Sequence, residues 1–125
     1  MNRSDVQAWL DRYVAAWAAN DPDLIGDLFT EDVVYRYRPW DSDRTTVRGR
    51  DAVVASWLEE PDEPGTWNAH YEPFAVEGDR AVAVGISDYP GREGGETYHN
   101  TFLMRFGPDG RCAEFTEFWI LQPKS

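Results

Sequence analysis

Near the end of the chain a carboxylate stands between two aromatic side chains at two-residue spacing: Phe115, Glu117 and Trp119. In an extended segment these three share one face, and the flanking rings mark it as the inner one. A carboxyl group placed there is costly without a partner or a task, which makes Glu117 the first candidate for proton transfer. Its structural alternative is a hydrogen bond to Tyr13, Trp57 or His70 that satisfies the core. The preceding alternating segment carries Tyr98, Asn100, Phe102, Met104 and Phe106 on its bulkier side, so Asn100 and Phe102 are expected in the same interior. Tyr35 and Tyr37 lie together with Val33 and offer two phenols as donors to a carbonyl or hydroxyl oxygen.

Two more groups could move protons. Asp88 precedes Tyr89-Pro90-Gly91, so it reads either as a second cavity acid or as the opening of a turn. His70 shares a side with Asn68, Glu72 and Phe74 and is placed inward, where an ordinary pKa near 6.5 suits neutral-pH proton transfer. The alternative is a structural His bonded to a backbone carbonyl. One inward His and a lone Cys112 do not make a metal site or a disulfide, so neither metal nor cofactor is expected. Tyr13, Trp17, Trp57 and Trp119 read as cavity lining.

These side chains need elements to hold them. Ser4 with Gln7 has capping-box spacing, and Val6, Trp9, Leu10, Tyr13, Val14 and Trp17 recur at helical intervals, predicting a helix over 4–19. Asp21 and Pro22 start a second helix that carries Leu24, Ile25, Leu28 and Phe29 inward. A strand over 33–38 stops at Pro39, residues 41–48 form a loop, and Gly49 opens a third helix that ends before Pro61. Alternating segments over about 67–77, 80–89, 96–107 and 111–121 follow, separated by Gly- and Pro-bearing turns. Helices first and a meander afterwards predict a single α+β domain over 1–125, with three helices packed on one face of the sheet.

Composition limits the partners. A net charge of −11 opposes nucleic acid and anionic membrane, because phosphate contacts need clustered cations. The run Arg36, Arg38, Arg44, Arg48 and Arg50 reads as a solvated loop-and-edge face rather than an anion-binding rim. Six Trp, six Tyr and six Phe imply a partly polar interior, since buried phenols and indoles need hydrogen-bond partners. Neither a signal-type apolar core near the start nor a membrane-length stretch is present, so a cytoplasmic protein is expected. Eleven Arg against one Lys fits a high-GC bacterial source.

The chain resembles the nuclear transport factor 2-like superfamily, the cone-shaped fold of ketosteroid isomerases, limonene epoxide hydrolases, scytalone dehydratases and SnoaL-type polyketide cyclases. The residues that carry the likeness are Tyr13-Val14-Ala15-Ala16-Trp17, Asn20-Asp21, Leu28 to Asp32, Gly49 to Val53, Gly78 to Ala81, Asp109-Gly110-Arg111 and Glu117-Phe118-Trp119. The resemblance implies a cone-shaped α+β barrel with a strongly curved, mostly antiparallel sheet. Set against ketosteroid isomerase, Tyr13 falls at the oxyanion-stabilising Tyr and Trp57 at a supporting Tyr. That family's base falls at Tyr37 and its second acid at Phe102, and neither can perform those roles at neutral pH. Set against limonene epoxide hydrolase, Tyr35 falls at a water-positioning Tyr and Asp88 and Glu117 at the two catalytic carboxylates. Its Arg and Asn fall at Ile86 and Tyr37.

Together these readings predict a cofactor-independent acid-base enzyme for a small, largely apolar polyketide-, terpenoid- or steroid-like molecule. Glu117, Asp88, His70 and Tyr13 are its candidate catalytic residues. Trp17, Tyr35, Tyr37, Trp57, Asn100, Phe102 and Trp119 are its candidate substrate contacts. The alternative function is a non-catalytic ligand-binding domain of the same fold. With Glu117 inward, Leu103, Phe118 and Ile120 fall on the outer sheet face beside Ala81, Ala83 and Gly85, and a homodimer through that face is expected.

Overall fold

The computed structural model describes residues 1–42 and 45–123, so Arg44 of the arginine run lies outside the described residues. Three helices precede and flank one six-stranded sheet. The order along the chain is α1 (Arg3–Ala19), α2 (Pro22–Gly26), β1 (Phe29–Arg36), β2 (Val47–Arg48), α3 (Arg50–Glu59), β3 (Asn68–Glu77), β4 (Arg80–Tyr89), β5 (Glu96–Phe106) and β6 (Cys112–Leu121).

Helix α1 starts one residue earlier than its periodicity suggests, because the capping box uses Asn2 and Asp5 rather than Ser4 and Gln7. Asn2 Oδ1 accepts from the Asp5 amide at 2.9 Å, and the Asp5 carboxylate in turn accepts from the Asn2 amide at 3.0 Å. Asp21 caps α2 through its own carboxylate, with Pro22 at the first helical position as expected. That helix is only one turn and a half long. Phe29 therefore belongs to β1, whose start lies four residues before the expected 33, and Val47 and Arg48 form a short strand in what read as loop.

The spatial order of strands is β2-β1-β6-β5-β4-β3. All neighbours pair antiparallel except β1 and β6, which run parallel with Tyr35 opposite Phe115. The sheet curves but does not close, so the architecture is an open cone rather than a full barrel. Helix α1 lies across β3, and Trp9 inside it is fully buried, its indole N–H donating to Leu28 O at 2.9 Å.

The core is an aromatic cluster. Trp9, Phe29, Tyr35, Phe102, Phe106 and Phe115 are all under 2 % exposed, and Tyr13 packs its ring on those of Trp9, Tyr71, Phe102 and Phe115. The cavity described next borders this cluster and shares Tyr13 and Tyr35 with it. Among the described residues no helix is long and apolar enough to cross a membrane.

Candidate functional site

The paired register explains which side chains reach the cone's interior. Residues directly opposite each other on adjacent strands share a face, so Tyr71 opposite Gly85, Gly85 opposite Asn100, and Asn100 opposite Trp119 form one inward row. Ser87 and Tyr89 continue that face along β4, and Phe115, Glu117 and Trp119 continue it along β6. Tyr13 and Trp17 reach in from α1, Tyr35 and Tyr37 come from β1 and the residue after it, and Ser56 and Trp57 come from α3. A cavity of about 490 Å³ results, lined by these phenols and indoles with Tyr71, Ser87, Tyr89 and Glu117, and bordered at its lip by Glu59, Glu60 and Asp62. Beside it, a recess of about 260 Å³ shares Tyr37, Ser87, Tyr89 and Glu117 and adds Arg38, Arg92, Tyr98, Asn100 and Trp119.

Glu117 is the carboxylate within this wall. Its Oε1 accepts from Asn100 Nδ2 at 3.3 Å, and Asn100 Oδ1 accepts from Ser87 Oγ at 3.0 Å. Burial disfavours its charged form and lifts the carboxyl to about 7, while the Asn100 bond acts in the opposite direction. A group poised there exists in both protonation states near neutral pH, the condition general acid-base chemistry needs.

Phenols surround it. Burial raises the pKa of Tyr13 and Tyr35 well above the ordinary range, and the charge of Glu117 raises both further. Tyr13 and Trp57 beside Tyr35 offset part of that rise for Tyr35. Tyr37 is raised by burial too, and its hydroxyl lies 2.5 Å from Ser56 Oγ. All three are thus neutral O–H groups over the whole physiological range, able to donate to an oxygen but not to abstract a proton.

The lip is tied down by polar contacts. Trp17 stacks on Trp67 with ring centroids 3.5 Å apart and donates its indole N–H to Asp62 at 3.0 Å. Arg92, in the β4–β5 turn, lies 3.8 Å over the Tyr89 ring and pairs with Glu96 at 2.8 Å. Its other nitrogen is 3.9 Å from Asp62, which links the turn to the segment after α3. Arg38 pairs with Asp41 at 2.9 Å, and Arg50 donates to Phe29 O at 3.0 Å.

Most of the residues expected at the site from sequence face the interior. Tyr13, Trp17, Tyr35, Tyr37, Trp57 and Glu117 line the main cavity, whereas Asn100 and Trp119 line the adjoining recess, Trp119 at its mouth and 46 % exposed. Phe102 is a correction: it is 1 % exposed and packed among Tyr13, Tyr71 and Phe115, beneath the cavity rather than on its wall.

Asp88 and His70 are corrections of a different kind, because both lie on the outer face. His70 is exposed and opposite Ile86, which is opposite His99 in turn. Asp88 sits opposite Asn68 and Thr97, accepts from Thr97 Oγ1 at 2.5 Å, and borders an outer cleft with Pro90 and Gln122. The inward set of β3 is Ala69, Tyr71 and Pro73, and that of β4 is Ala81, Ala83, Gly85, Ser87 and Tyr89. Hence Ala81, Ala83 and Gly85 do not belong to the outer face either.

Sequence reasoning missed Tyr71, Ser87 and Tyr89. The signal was present in the run Trp67, Ala69, Tyr71 and Pro73, a more consistently non-charged set than Asn68, His70, Glu72 and Phe74. Phe74 masked it, being 70 % exposed.

Comparison with known proteins agrees with this geometry. Residues 10–115 match the family model described as a SnoaL-like domain. No curated protein matches the chain. Solved structures with the same fold include a nuclear transport factor 2-like protein of unknown function from Burkholderia xenovorans, 20% identical over 98% of this chain and 88% of that one, with a TM-score of 0.72. A Kribbella flavida protein assigned provisionally as a ketosteroid isomerase is 18% identical over 98% and 83% of the two chains, with a TM-score of 0.70. A nuclear transport factor 2-like protein of unknown function from Mesorhizobium loti is 22% identical over 94% and 93%, with a TM-score of 0.64. With the family match spanning most of its length and the open cone shared with these structures, the chain belongs to the SnoaL-like domain family of the nuclear transport factor 2-like superfamily.

Proposed function

We propose that this protein is a cofactor-independent enzyme of cyclase, isomerase, dehydratase or hydrolase type. Its substrate is a small, largely apolar molecule of polyketide, terpenoid or steroid-like character that carries a carbonyl or hydroxyl oxygen. The observation that carries this reading is the placement of Glu117, a carboxyl lifted to about 7 in the wall of an aromatic cavity and facing several neutral phenols.

In this reading the ionised Glu117 takes a proton from the substrate, for instance from carbon beside a carbonyl, and returns it at another atom. Negative charge then develops on the substrate oxygen, where a neutral phenol of Tyr13, Tyr35 or Tyr37 donates a hydrogen bond. Among the described residues no Lys, Arg or His side chain lines the main cavity, while Glu59, Glu60 and Asp62 border it. A substrate carrying a carboxylate or phosphate would meet only like charge there, which favours a neutral one. Asp88 and His70, on the outer face, take no part.

A binding-only role is the second reading. It is favoured by the internal satisfaction of Tyr37, whose hydroxyl is already bonded to Ser56. The two are separated by incubating the protein with a panel of neutral ketones, enols and epoxides on apolar skeletons. Turnover that disappears in Glu117→Gln supports the enzyme, whereas tight binding without conversion from pH 5 to 8 supports the binding module.

The partner we propose besides that ligand is a second copy of the chain. Val82, Val84, Leu103, Phe118 and Ile120 occupy the outer sheet face, with Ile120 at 71 % exposed and Leu103 at 43 %. The net charge of −11 disfavours nucleic acid and anionic membranes as alternatives.

A further inference from the structure

The amide of Asn100 could present either of its two ends to Glu117, and the groups behind it decide which. Ser87 and Asn100 are 3 % and 5 % exposed, so each must find its partners within the protein. Ser87 Oγ donates to Asn100 Oδ1 at 3.0 Å, and Asn100 Nδ2 donates to Glu117 Oε1 at 3.3 Å. Ser87 also acts on the neighbouring Tyr71 phenol, offsetting part of the rise that burial gives its pKa.

A hydroxyl has one proton and two lone pairs. With the Ser87 proton given to Asn100, the Ser87 oxygen is left as an acceptor, and the amide end facing it must be the carbonyl. The donors of Ser87 and Asn100 then point the same way, towards the carboxylate. Turning the amide over would set Asn100 Oδ1 against Glu117 Oε1 with no proton between them while Glu117 is ionised, and would also break the run of donors behind.

We propose that Ser87 and Asn100 are positioning residues for Glu117: the Ser87–Asn100 chain locks the amide so that Oε1 always receives an N–H, and the transferable proton is carried on Oε2. This rests on the reading of Glu117 as the proton-transfer group and adds which of its oxygens works. One oxygen is thereby committed to the wall, and the other is left for the substrate. Asn100 also stabilises the ionised form, so the chain keeps the carboxyl titrating near neutrality instead of higher.

The other charged or titratable groups facing Glu117 do not compete with it near neutral pH. From α1, β1, β3 and β4 come the phenols of Tyr13, Tyr35, Tyr37, Tyr71 and Tyr89, each raised by burial. Across the recess stand Arg38 and Arg92, paired with Asp41 and Glu96. Glu59, Glu60 and Asp62 line the opposite lip and are common to the protein and its variants.

The test is carbon-13 NMR of the whole protein labelled in Glu carboxyls, with the Glu117 signal identified by its loss in Glu117→Gln. The native signal is expected to titrate near pH 7, and the Asn100 side-chain NH₂ resonances to shift with the same midpoint. In Ser87→Ala the Glu117 midpoint is expected to rise by roughly half a unit to one unit, the scale of one weakened hydrogen bond. Ser87→Thr, which keeps the hydroxyl, is expected to return most of it. An unchanged midpoint in Ser87→Ala overturns the proposal. So do Asn100 amide protons that ignore the Glu117 titration in the native protein, a result that needs no variant to fold. None of these readings uses a substrate, so their failure leaves the catalytic assignment standing, and loss of that assignment leaves the chain intact.

Discussion

Tyr35 and Phe115 stack with ring centroids 4.7 Å apart and planes 13° from parallel. They are register partners across the parallel β1–β6 pair, so the next inward residues, Tyr37 and Glu117, are brought side by side above the stack. The fold thus supports its candidate acid-base group on an aromatic floor and faces it with a phenol from a strand some eighty residues earlier.

Replacing Glu117 with Gln keeps the shape and removes the proton exchange. Turnover of any substrate found in the panel is expected to fall by about 10²- to 10⁴-fold, the range for a general base. Asp88→Asn and His70→Ala are expected to leave it within about twofold, because both side chains lie on the outer face. Initial-rate kinetics on the three purified variants checks the contrast.

Stability should depend on pH through the same group. The folded carboxyl titrates at about 7 against an ordinary 4.5, so between these values the folded chain binds a proton that the unfolded chain has released. Its contribution is therefore fully present below pH 4.5 and is lost as pH rises through 7, by on the order of 3 kcal/mol in total. Urea midpoints of the protein and Glu117→Gln, compared from pH 5 to 8, should diverge in favour of the variant as pH rises. As a base, Glu117 should make kcat/KM rise over the same interval.

Gly85 is held without a side chain by its neighbours. A Cβ there would run into the His70 carbonyl and the Tyr71 ring and backbone, because β3 crosses β4 closely at that point. Gly85→Ala is expected to cost at least about 1–3 kcal/mol, as overpacking does, and to push Tyr71 into the cavity. Thermal unfolding reads the first effect, and weakened ligand binding reads the second.

Assembly is checked by sedimentation. At micromolar concentration the protein is expected at about twice its chain mass of 14.3 kDa. Phe118→Glu places a charge in the middle of the outer face, beside Thr101, and should shift the population to monomer. A monomer at high concentration in the unaltered protein removes this assembly.

Local chemistry in the sequence determined the scaffold. Asp21 and Pro22 start α2, Gly49 precedes α3, and the turn at Gly78-Asp79 delimits β4 at Arg80, because caps and turns depend on a few adjacent residues. The inward placement of Phe115 and Glu117 was legible for a similar reason: large rings at two-residue spacing leave little doubt about which face of β6 is buried. On β3 and β4 the alternation was equally regular, but its sign depended on what lies opposite. Ala83 sits between Pro73 and Phe102, and Gly85 between Tyr71 and Asn100, so the small inward residues make room for large neighbours from other strands and from α1. Phe74, the one large ring in the opposite alternating set of β3, faces solvent. Tertiary structure alone turned His70 and Asp88 outward and brought Ser87, Asn100 and Glu117 into one hydrogen-bonded line, since alternation fixes which residues share a face but the filling of space by distant elements decides which face is inside.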